Sequence, residues 1–160
     1  MARTKDIHFQ NQIDKLQRAL STYVHNTGGL AIHGSSSALA KTVNTVYYWV
    51  DGVLYSKAAA DMAALAGTVL TTKFGIWVFT VNAAGTLAAR AGSLAAATID
   101  ALTFPSIPDG EAVIGYLTVN PSGTGSFVGG TSNLDDATIV PGAVYHDTPY
   151  PFLPGLQNLV

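Results

Sequence analysis

The pair Asp51-Gly52 separates two β-forming runs, Val43-Asn44-Thr45-Val46-Tyr47-Tyr48-Trp49-Val50 and Val53-Leu54-Tyr55. A two-residue type I′ turn needs positive φ at both central positions, and Asp-Gly supplies it at low steric cost. The spacing therefore predicts an antiparallel hairpin and places the centre of the chain in the β class. A second unit has the same order. Ile76-Trp77-Val78-Phe79-Thr80-Val81 leads into Asn82-Ala83-Ala84-Gly85 and then Thr86-Leu87-Ala88. A third is expected from Ala112 to Asn120, the turn Pro121-Ser122-Gly123, and Ser126-Phe127-Val128. An Ala-rich segment follows each of the first two units, 57–66 closed by Gly67 and 94–102, and both read as short helices. The three hairpins hint at a duplicated motif without the identity that a repeat array requires.

Ahead of this body lies a different pattern. Phe9, Ile13, Leu16, Leu20 and Tyr23 step by four, three, four and three, the spacing of a coiled-coil seam. Polar residues fill the intervals. Thr4 or Asp6 suits the cap, and Asn26-Thr27-Gly28-Gly29 supplies a stop. The seam has two readings: an amphipathic helix packed on its own domain, or one that associates with a second copy or another protein. Residues 1–27 are taken as a helical arm, 28–42 as a Gly/Ser/Ala-rich linker, 43–148 as the β-rich body and 149–160 as an extended tail. Within the body, the segment from Phe104 to Gly110 reads as a rigid extended linker with a turn. Gly129 to Asn133 reads as a mobile loop, and Ala137 to Tyr145 as a final strand whose interruption by Pro141-Gly142 argues for an edge or a bulge.

Charged residues make up 11% of the chain and hydrophobic ones 48%, whereas an ordinary globular protein has about 25% charged residues. So little charge favours burial of surface in an oligomer or larger assembly. The first 25 residues carry a net charge of +2 and the rest −4. A basic arm containing Arg3 and Lys5 suits an acidic surface, and the body has too few cations for a nucleic-acid groove. There is no cysteine, so stability does not depend on disulfides. No apolar run approaches a membrane span, and no apolar stretch of signal-peptide type follows the early charges.

Constellations for chemistry are weak. The four histidines, His8, His25, His33 and His146, lack metal-ligand spacing. Gly34 to Thr42 ends in Lys41-Thr42 but lacks the second glycine and the spacing of a phosphate loop. Asp135-Asp136 reads as a solvated acidic turn, Asp109 as a turn residue beside Glu111, and His146-Asp147 as a surface pair. There is no Gly-x-Ser-x-Gly elbow. No catalytic residue, cofactor or metal is expected. Alternation places Tyr48 on the face opposite Tyr47 and Trp49, so one set belongs to the core and the other faces outward, where exposed rings would suit stacking on a ligand.

The run Tyr47-Tyr48-Trp49-Val50-Asp51-Gly52-Val53-Leu54-Tyr55-Ser56-Lys57-Ala58-Ala59-Ala60-Asp61 resembles a segment common in small virion structural proteins of tailed bacteriophages. So does Pro105-x-Ile107-Pro108-Asp109-Gly110-Glu111-Ala112-Val113-Ile114-Gly115-Tyr116-Leu117-Thr118-Val119. The resemblance covers roughly residues 43–145. It implies a capsid decoration (cement) protein or head fibre, usually trimeric and non-enzymatic, made in the host cytoplasm and located on the virion. The expected fold is mainly β, a sandwich or jelly-roll-like body built from hairpins, with an N-terminal helix and short Ala-rich helices. The expected partners are its own copies, as a homotrimer, and the major capsid protein, with no nucleic acid and no membrane. Interface residues expected from the arm are Arg3, Lys5, Phe9, Ile13, Leu16, Leu20 and Tyr23. The alternative is a tail-fibre or receptor-binding module whose aromatic strands recognise cell-surface glycans.

Overall fold

A computed structural model describes residues 10, 12–13, 16–17 and 20–148. Eleven strands follow one another among these residues: β1 (Tyr23–Val24), β2 (Leu30–Ile32), β3 (Ala40–Thr42), β4 (Val46–Val50), β5 (Val53–Lys57), β6 (Thr68–Val69), β7 (Gly75–Asn82), β8 (Leu87–Ala91), β9 (Glu111–Val119), β10 (Phe127–Val128) and β11 (Ala143–Asp147). They form a four-stranded sheet in the order β11-β9-β7-β8, a three-stranded sheet β1-β4-β5, and the pairs β2-β3 and β10-β6. All pairings are antiparallel.

The first two hairpins form where turn chemistry places them. Asp51 and Gly52 have φ of 51° and 78°, and β4 pairs with β5 from Val50↔Val53 outward. At the second turn the Asn82 side-chain oxygen accepts from the amides of Ala84 and Thr86, each at 3.0 Å, and β7 pairs with β8. The third expected hairpin does not form. β9 pairs with β7 and β11, and β10 pairs with β6 instead.

The main core draws side chains from both the larger sheet and the three-stranded one. Trp77, Phe79 and Val81 of β7, and Ala112, Ile114, Leu117 and Val119 of β9, join Val24, Val46, Tyr48 and Val50 in one buried cluster. Two polar tips find carbonyl partners: the Trp77 indole donates to Ala66 O at 2.9 Å, and the Tyr48 hydroxyl to Asn82 O at 3.0 Å. The alternate residues Ile76, Val78 and Thr80 are buried as well. Residues 103–105 lie against that second face. They are held by hydrogen bonds between Ser93 and Thr103 and by an edge-to-face contact of Phe104 with Tyr116 at 5.3 Å. β7 is thus a central strand buried on both faces, which accounts for its unbroken apolar run.

A bulge interrupts β9. Phe79 pairs with Gly115 but Thr80 pairs with Val113, leaving Ile114 as the extra residue. Both Ala112 and Ile114 reach the core on one side of the bulge, and Leu117 and Val119 on the other. Gly115 is required there, because a Cβ would collide with the carbonyl of His146 and the side chain of Leu30.

Several sequence expectations are corrected. The linker at 28–42 contains the β2–β3 hairpin, with Leu30, Ala40 and Thr42 buried. No helix forms at 57–66. That stretch runs alongside β3, with Thr42 N donating to Ala60 O and Met62 N to Ala40 O, both at 2.9 Å, while Met62 and Leu65 enter the core. Burial of those two side chains overrides the helical preference of alanine. The second Ala-rich segment supplies only one 3₁₀ turn, Ile99–Ala101, because Phe74 and Ala96 bond to each other and hold its start extended. Tyr23 lies in β1 rather than in a helix. The final strand is an edge strand, as expected, but it begins after Pro141-Gly142, at Ala143. The tail from 149 onward lies outside the described residues.

Candidate interaction surface

The described residues of the arm, Gln10, Gln12, Ile13, Leu16, Gln17, Leu20 and Ser21, have helical backbone. Ile13, Leu16 and Leu20 are 37%, 50% and 57% exposed. Side chains three and four apart share one helix face, so three of the five expected seam residues, Ile13, Leu16 and Leu20, are left partly exposed, while Tyr23 lies in β1. Arg3, Lys5 and Phe9 lie outside the described residues.

The C-terminal end of this segment is fastened to the first hairpin. Gly52 N donates to Ser21 O at 3.0 Å and Asp51 N to the Thr22 hydroxyl at 3.1 Å. The chain then enters β1, whose pairing with β4 is extended by Asn26. Its side-chain oxygen accepts from Tyr47 N at 2.7 Å and its amide donates to Thr45 O at 2.8 Å. Tyr23 pairs with Trp49, and Trp49 with Leu54, which sets three large apolar side chains in a row across the sheet. The Tyr23 and Trp49 rings stack with centroids 6.4 Å apart. Leu54 is 53% and Tyr47 48% exposed, while Tyr48, on the opposite face, is buried. The alternation expected from the sequence therefore holds, and it leaves an aromatic outer face.

Several of the ionisable groups are engaged in holding the fold. Arg90 forms a two-pronged ion pair with Glu111, its Nε donating to Oε2 at 2.6 Å, and the buried Thr80 hydroxyl donates to the same oxygen at 2.7 Å. Burial pushes the Glu111 carboxyl up. The Arg90 and Thr80 hydrogen bonds and the Arg90 charge outweigh that effect and hold it below the usual carboxylate range. Asp147 accepts from Leu30 N at 3.2 and 3.3 Å, joining β11 to β2, and His146 stacks on Tyr116 at 4.4 Å. Asp135 accepts from Ser36 N at 2.8 Å. Asp136 is held below its ordinary value by the Thr138 hydroxyl, the Thr138 amide and the Ile139 amide. His33 contacts Asp61 on the surface. Among the described residues no three His, Cys, Asp or Glu side chains gather as a metal site. No helix among them is long and apolar enough to cross a membrane.

The Arg90–Glu111–Thr80 and Asp147–Leu30 contacts carry no local sequence signal, because their members come from separate strands. The row Tyr23–Trp49–Leu54 needs the register of two strand pairs, of which the Asp-Gly turn announces one. Comparison with protein-family models, curated proteins and solved structures returns no match.

Proposed function

We propose that this chain is a non-enzymatic virion structural protein that binds the exterior of an assembled capsid and braces neighbouring capsomers as a homotrimer. The observation that carries this reading is the exposed apolar stripe Ile13–Leu16–Leu20 on a chain with very little charge. The resemblance of residues 47–61 and 105–119 to virion proteins supplies the setting, with the major capsid protein as the partner. The architecture we infer is a sandwich-like body, its three- and four-stranded sheets facing each other across the core, led by an N-terminal helix. A protein that binds only the assembled shell stabilises it by mass action, and three linked copies multiply weak contacts through effective concentration. The test is peptide mass spectrometry of purified tailed-phage particles from the source of this sequence, followed by heating particles with and without the chain. Its presence, and earlier genome release without it, is the expected result. Absence from particles overturns the reading.

The outward aromatic face favours one second reading. Tyr23, Tyr47 and Trp49 would stack on sugar rings in a receptor-binding module. A glycan array separates the two: binding that disappears in Trp49→Ala would favour this alternative.

A further inference from the structure

We propose that the helical seam and the row Tyr23–Trp49–Leu54 form one continuous surface, and that further copies of this chain cover it with their helices parallel. This deepens the homotrimer reading by naming the subunit interface and its orientation, and it does not depend on capsid binding.

Three observations identify the occupant as a second copy. First, a seam with 3.5-residue spacing fits another helix of the same spacing, and Ile13, Leu16 and Leu20 present one that is substantially exposed. Second, the charges are arranged for like to meet like. In the heptad register Ile13 and Leu20 take position a, and Leu16 takes d. The described residues at the flanking e and g positions, Gln10, Gln12 and Gln17, are all uncharged. Identical helices therefore meet without like-charge repulsion along the seam. Third, two heptads are too short to hold an assembly alone, and further exposed apolar side chains stand near the helix end. The bonds from Asp51 and Gly52 to Thr22 and Ser21 fix the helix end beside the hairpin that carries Trp49 and Leu54, and Tyr23, three residues after Leu20, pairs with Trp49 in β1.

That continuity sets the direction. Parallel helices bring the aromatic rows of all copies to the same end of the bundle, where they cover one another. Antiparallel helices would carry the rows to opposite ends and leave each one exposed.

The experiment uses the full chain. Its mass is measured by light scattering over a concentration series, beside Leu16→Asp/Leu20→Asp, Leu54→Glu and a control, Leu70→Glu, at an exposed leucine outside this surface. Thermal melts confirm that each variant folds. Because the chain has no cysteine, Leu20→Cys and an exposed control, Ser35→Cys, report proximity by oxidation. Parallel helices set equivalent a positions side by side, so Leu20→Cys should form a covalent dimer at least about tenfold faster than Ser35→Cys. The wild type should be oligomeric. Association should weaken by about tenfold or more in Leu54→Glu and in the double variant, and stay unchanged in Leu70→Glu. A monomeric wild type, an oligomer indifferent to Leu54→Glu, equal losses in Leu54→Glu and Leu70→Glu, or no preferential cross-link at residue 20 each overturns the proposal. Self-association without presence in virions would instead overturn the capsid reading and leave this one standing.

Discussion

At the scale of single residues, a few charged side chains hold the sheets together. Glu111 is the clearest case, since its side chain is only 13% exposed and is held by Arg90 and Thr80 from two neighbouring strands. Its carboxyl sits below its ordinary value in the folded protein. It therefore contributes stability that is present above the unfolded-state value and is lost as pH falls through the lower folded-state value. Glu111→Gln should cost about 1–3 kcal/mol at neutral pH, because Arg90 is left partly buried and unpaired. Chemical denaturation at a series of pH values checks both claims: wild type and variant should converge on acidification. A constant gap would show that the side chain contributes packing rather than charge.

At the scale of elements, two of the three hairpin turns were legible in this sequence, and pairings across long separations were not. Asp51-Gly52 announces its hairpin because the φ requirement is local. Gly52 has φ of 78° with nothing within 4 Å of where a Cβ would stand, so Gly52→Ala tests conformation alone. It should lower stability by about 1–2 kcal/mol, read as a melting shift with an unchanged fold. The β2–β3 hairpin was missed because three-residue strands are too short to show an alternation. Its position depends on Asp147, 117 residues away from Leu30. Asp147→Asn should weaken that attachment by about 1–2 kcal/mol, and amide exchange at Leu30 should quicken before that of the β7 amides. The absent Ala-rich helices teach the same lesson from the other side. Alanine's preference is weak, and Met62 and Leu65 gain more by entering the core from an extended chain. On the candidate surface, the helical stripe was readable from spacing, as was the outward face of Tyr47 and Trp49. Their union through Tyr23 was not, since it needs β1 to begin where a continuous helix was expected.

At the scale of the whole molecule, a chain with 11% charged residues carries large apolar side chains at its surface. If copies cover one another there, folding and assembly are linked, and stability depends on concentration. The wild-type melting temperature should rise with protein concentration, and that dependence should be lost in Leu54→Glu. Calorimetry over a hundredfold concentration range, about the span that mass action makes measurable, distinguishes coupled assembly from a monomer with an apolar skin.

The double burial of β7 has a further consequence during synthesis. Its partner β8 follows at once, but residues 103–105 and β9, which close over its second face and its other edge, come later in the chain. At roughly 5–20 residues per second, the run Ile76-Trp77-Val78-Phe79-Thr80-Val81 leaves the ribosome seconds before its cover. It is uncharged, β-branched and aromatic, and it contains no proline, which makes it prone to pair with its counterpart on a neighbouring nascent chain. The strand that anchors the folded molecule is thus a hazard to the unfinished one, and the yield of soluble protein should depend on how quickly residues 102–119 follow.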